Sequence, residues 1–81
     1  MEGTKHMDYI MVTFQVGKQN IDLRVPVFVK IEELLGMLSE ALQITISKDN
    51  RLQAEPLGRI LDNNKTLEQE EVMLGSYLTL I

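Results

Sequence analysis

The chain has 81 residues, enough for one domain and no more. Its 44% apolar and 25% charged composition is that of an ordinary globular protein, and its net charge of −4 argues against a nucleic-acid partner, whose phosphates call for a basic surface. The same balance argues against anchoring on an anionic membrane, no apolar run approaches the ~20 residues of a membrane helix, and the absence of cysteine removes disulfides, thiolate metal sites and thiol nucleophiles.

The segment Met1 to His6 has no periodicity, and the pair His6-Met7 looks like the remnant of a cloning site ahead of a start at Met7. Residues 1–6 are therefore set aside and 7–81 read as the domain. The only histidine goes with the discarded segment.

From Tyr9 to Val16 the residues alternate, with Ile10, Val12, Phe14 and Val16 on one side and Met11, Thr13 and Gln15 on the other, which predicts a half-buried strand. Gly17 to Asn20 reads as a hairpin turn, and alternation resumes with Ile21, Leu23 and Val25 inward until Pro26, which has no ladder donor. The period then changes: Ile31, Leu34, Leu35, Leu38 and Leu42 form one stripe of a helix, with Glu32 and Glu33 at the positive end of its dipole. The cap position, Lys30 or Val29, is weak, and Gly36 inside the helix costs about 1 kcal/mol against alanine. Burying the aliphatic stripe at roughly 1.5–3 kcal/mol per residue outweighs both, so the helix should form by packing on the sheet.

Beyond the helix, Ile44 and Ile46 mark an extended connection and Ser47 to Asn50 a polar loop. Arg51 to Ala54 and Gly58 to Leu61 read as short strands, Thr66 to Gln69 as one helical turn with capping-box spacing, and Ser76 to Ile81 as a last strand. The expected core is Ile10, Val12, Phe14, Ile21, Leu23, Val25, Ile31, Leu34, Leu38, Leu52, Leu61, Leu67, Val72, Leu78 and Leu80. Met37 and Met73 are expected to fill gaps near it.

Nothing in the pattern supplies catalysis. Ser39, Ser47 and Ser76 have no histidine to activate them, and Gly17 and Gly58 stand alone and form no phosphate loop, so neither a catalytic group nor a cofactor is expected. Glu68, Glu70 and Glu71 are the densest acidic group, read as a solvated face rather than a metal site.

The order and spacing of these elements resemble ubiquitin. The resemblance runs from Tyr9 to Ile81 and is carried by Lys30-Ile31-Glu32-Glu33-Leu34, Arg51-Leu52, Leu61 through Leu67, Val72 and Leu78-Thr79-Leu80. It implies an α+β, ubiquitin-like β-grasp fold: a mixed four- or five-stranded sheet packed on one helix, its first and last strands parallel at the centre. The positions matching ubiquitin's binding patch are Gly17, Gln53, Thr79 and Ile81, of which only Ile81 is large and apolar, so ubiquitin receptors are not expected to recognise the chain. The sequence ends at Ile81 without the diglycine that conjugation requires, so covalent conjugation is not expected. Where ubiquitin has a loop-locking tyrosine this chain has Glu70, and the loop must be held in another way.

The opening hairpin, Tyr9 to Phe14 and Ile21 to Pro26, is also similar to that of the YukD/EsaB family, ubiquitin-like proteins of the type VII (WXG100) secretion systems of Gram-positive bacteria. That resemblance implies a cytoplasmic accessory or regulatory protein that binds components of a membrane secretion machine without inserting into the membrane itself. A related β-grasp domain is fused to membrane subunits of the actinobacterial systems. A cytosolic β-grasp adaptor unrelated to secretion is the alternative. The sheet face opposite the helix is the candidate partner surface, with Met11, Thr13, Gln53, Tyr77, Thr79 and Ile81; an ordinary solvated sheet face is the other reading. An exposed edge strand would also allow a homodimer, which the sequence neither requires nor forbids.

Overall fold

The opening alternation is realised as a hairpin of two eight-residue strands, β1 (Tyr9–Val16) and β2 (Gln19–Pro26), in a computed structural model that describes residues 8–81. The segment set aside as a remnant, residues 1–6, lies outside the described residues. The turn is tighter than the sequence suggests. Gly17, at φ +60°, makes it with Lys18 alone, the glycine-first pattern of a two-residue hairpin loop, and Gln19 and Asn20 already belong to β2.

The helix α1 (Ile31–Leu42) follows, then β3 (Leu52–Glu55), β4 (Arg59–Ile60) and β5 (Tyr77–Leu80). The five-stranded sheet has the order β2-β1-β5-β3-β4. β1 and β5 run parallel at its centre, and the other neighbours are antiparallel. This is the mixed sheet of the β-grasp fold, crossed on one face by the helix.

α1 buries Ile31, Leu34, Leu35 and Leu38, with Leu42 partly covered. Lys30 gives its N-terminus no side-chain cap. Instead the backbone N–H groups of Ile31 and Glu32 donate to the carbonyls of Lys65 (2.8 Å) and Asn63 (3.0 Å), so a distant loop satisfies donors that a local cap would otherwise serve. At the other end Gln43 takes the left-handed conformation, φ 55°, and the Ile44 N–H returns to the Ser39 carbonyl at 3.1 Å. The capping box at Thr66 forms reciprocally: the Gln69 N–H donates to Thr66 Oγ1 and the Thr66 N–H to Gln69 Oε1, both at 3.0 Å. A single turn follows it.

The core differs from expectation at its margins. Ile21 and Leu23 are only half-buried because β2 is an edge strand, covered on one side alone, and Leu80, the last residue of β5, is likewise half-buried. Val27, Leu35 and Ala54 complete the core in their place. Val27 is reached because the chain keeps its strand parity one step past Pro26, with the Val27 N–H donating to Asp8 at 2.9 Å. Met37 and Met73 fill no gap: they are 49% and 67% exposed.

Candidate partner surface

Strand parity builds the face opposite the helix. Because Val12 and Phe14 point into the core, Met11, Thr13 and Gln15 point away from it, and the pairing aligns them with their neighbours in rows. Asp22, Thr13, Tyr77 and Glu55 stand side by side across the sheet, and next to them Asn20, Gln15, Thr79, Gln53 and Ile60. Arg24 and Met11 begin a further row at the end where β1 starts. Arg51 and Ile81 exchange backbone hydrogen bonds of 3.0 and 2.9 Å, which carries the β3–β5 ladder on to Ile81. The face therefore brings Met11, Thr13, Gln53, Tyr77, Thr79 and Ile81 together.

The middle of this face is a polar lattice. Thr13 Oγ1 donates to Asp22 Oδ1 (2.8 Å), the Tyr77 hydroxyl reaches across β1 to Asn20 Oδ1 (2.8 Å), and Thr79 Oγ1 donates to Gln15 Oε1 (3.2 Å). Such cross-strand pairs hold these side chains in place across the sheet. Apolar surface is confined to the rim, where Met11, Ile60 and Ile81 are each about half exposed. Sequence reasoning puts Gln15 on the same side of β1 as Met11 and Thr13 but leaves Asn20 and Ile60 off the face. Asn20 was assigned to the turn, and strand parity would have found it once the turn was shortened.

A second apolar group lies at the end of the sheet where β1 begins. Tyr9 and Phe28 meet edge-to-face with ring centroids 5.8 Å apart, and the Arg24 guanidinium lies 5.8 Å from the centre of the Tyr9 ring. Met73 and Leu74, both well exposed, lie in the loop that enters β5. No sequence motif marks this group, because its members come from β1, β2 and the connections that precede α1 and β5.

The acidic trio does not behave as one solvated face. Glu68 and Glu71 are exposed, but Glu70 is buried. Its carboxylate pairs with the Arg59 guanidinium through Oε1 and accepts the Asp62 N–H through Oε2 at 2.8 Å, while Arg59 also donates to the Glu70 carbonyl at 2.7 Å. The hydrogen bond from Arg59 and that from the Asp62 backbone hold the Glu70 carboxyl below its ordinary value of 4.5, against the opposing effect of burial. This is the lock that stands where ubiquitin uses tyrosine. Among the described residues no group of three or more histidine, cysteine or acidic side chains is placed to hold a metal, and no helix is long and apolar enough to cross a membrane.

The topology and these faces define a ubiquitin-like protein. A structure described as molecular mimicry of SUMO that promotes DNA repair superposes with a TM-score of 0.78 at 19% identity over 95% of both chains. Caldiarchaeum subterraneum ubiquitin does so with 0.69 at 20% identity, covering 90% of this chain and 91% of that one. The ubiquitin-like domain of the Mycobacterium tuberculosis type VII secretion system protein ECCD1 gives 0.63 at 27% identity, over 93% of this chain and 99% of that domain. No curated protein sequence matches. The YukD family, described as WXG100 protein secretion system (Wss), protein YukD, matches residues 9–80, and the chain belongs to it.

Proposed function

We propose that this protein is a non-catalytic, non-conjugated ubiquitin-like module that acts in the cytoplasm by binding protein components of a WXG100-type secretion machine. The observation that carries the reading is membership of the YukD family over residues 9–80. The likeness to a ubiquitin-like domain from a type VII secretion protein supports it. The open sheet face is the docking surface in this reading, its hydrogen-bonded centre giving orientation and its Met11, Ile60 and Ile81 rim giving apolar contact. Gly17, Gln53 and Thr79 stand at three of the four patch positions and offer no large apolar side chain, which supports a partner set different from that of ubiquitin.

A photo-crosslinking residue at Thr79 in the native cell tests this. Capture of a membrane component of the secretion machine, together with loss of export when Thr79→Arg replaces the wild type, is the expected result. Thr79→Arg removes the part-buried bond to Gln15, so it should cost about 0.5–1.5 kcal/mol, and urea denaturation checks that the variant stays folded. Crosslinks to cytosolic proteins alone, with export intact, would instead establish an adaptor outside secretion.

A further inference from the structure

The two margins of the sheet are built differently. β4, on one margin, is two residues long, the kind of short edge that keeps a sheet from recruiting further strands. β2, on the other, runs for eight residues, pairs one to one with β1 without a bulge, and carries no lysine. Only Pro26, at its end, lacks a donor.

The hydrogen bonds show which backbone groups this margin presents. The N–H of Val27 turns toward Asp8, whereas the N–H of Thr13 and the carbonyl of Met11 turn toward the β5 side. The odd-numbered residues of β2 therefore bond to β1, and Asn20, Asp22 and Arg24 turn their N–H and C=O groups outward. Among the described residues β1 is the only strand beside β2.

We propose that this margin pairs antiparallel with the β2 of a second copy of the chain, about a two-fold axis through Leu23. Charge selects the register. Asp22 and Arg24 are the only charged side chains in β2, and centring on Leu23 sets Asp22 of each copy opposite Arg24 of the other. Centring one residue to either side would set Asp22 against Asp22 or Arg24 against Arg24. The chosen register gives Asp22 and Arg24 reciprocal backbone hydrogen bonds on both sides of the axis. It also gives Asn20 the Pro26 carbonyl, a bond that asks nothing of the donorless proline. On the helix side, Leu23 meets Leu23 and Ile21 meets Val25, covering the two β2 residues that the core leaves half-buried. The same patch serves both copies, as a two-fold interface requires.

Sedimentation velocity and amide hydrogen exchange on the full chain, from micromolar to millimolar concentration, test the pairing. A monomer–dimer equilibrium is expected, with protection at Asn20, Asp22 and Arg24 rising with concentration while Ile21, Leu23 and Val25 stay unchanged. Asp22→Arg or Arg24→Asp alone should weaken the dimer by on the order of tenfold or more, because both cross-strand pairs become repulsive. The double reversal, Asp22→Arg with Arg24→Asp, should restore it. Arg24→Asp leaves the Thr13–Asp22 hydrogen bond in place, so it separates association from loss of fold, which circular dichroism checks for each variant. A monomer throughout the range, protection rising on another face, or a double reversal that fails to recover the dimer overturns the proposal.

Discussion

Glu70 shows how one residue can carry a structural task that its neighbours in sequence conceal. Flanked by Glu68 and Glu71, it reads as part of a solvated acidic stretch, yet its side chain is turned inward to Arg59 and the Asp62 N–H. Its principal partner lies eleven residues away, in β4, a separation that no local periodicity encodes. Glu70→Ala should destabilise the fold by about 1.5–3 kcal/mol, read from urea denaturation, because Arg59 and the Asp62 N–H both lose a charged acceptor in a part-buried setting. The depressed pKa fixes the sign of the pH response. The contribution of Glu70 is complete above the ordinary carboxyl value of 4.5 and is lost as pH falls through the lower value of the folded state. Glu70→Gln should flatten the stability profile in that acid window.

Among the elements, the helix was the most legible and its ends the least. The stripe from Ile31 to Leu42 predicts both its extent and its buried face, since a period of 3.6 leaves no other arrangement for those residues. Its weak cap was also visible, but the remedy was not, because the carbonyls of Asn63 and Lys65 reach it only through the fold. Two residues in or beside the helix sit against their conformational preference. Gly36 lies in the exposed helix interior with nothing within 4 Å of where a Cβ would stand. Gln43 holds a left-handed conformation that glycine would adopt freely. Gly36→Ala and Gln43→Gly should therefore each stabilise the domain by about 1 kcal/mol, measured as a rise in melting temperature.

At the scale of the whole molecule, the change of period from two to 3.6 and back was enough to indicate a sheet with one helix. Ubiquitin-like spacing then ordered the strands. The margins escaped this reasoning. Ile21 and Leu23 alternate like core residues, and nothing local reveals that their strand has a neighbour on one side only. The open face was legible through parity alone: Met11, Thr13, Tyr77 and Thr79 could be placed on it, but its cross-strand hydrogen bonds depend on a register that only the folded sheet defines. Composition, with a net charge of −4, argues against nucleic acid as a partner. It carried no information on which protein is the right one.

The parallel pairing of β1 with β5 has a consequence in time rather than in space. Gln15 and Thr79, which bond directly at the centre of the sheet, are separated by 64 residues. The hairpin can form early, but it has no inner neighbour until β5 arrives, and the helix lacks its borrowed cap until the loop around Asn63 to Lys65 is in place. During synthesis the chain should therefore remain without a closed core until β5 has left the ribosomal exit tunnel. Closing so long a loop also places it among slower-folding small domains than helical bundles of similar size. A force-sensing arrest assay on nascent chains of increasing length should record one late folding event, after β5 emerges; an earlier event of comparable strength near the end of α1 would show that hairpin and helix already close a core on their own.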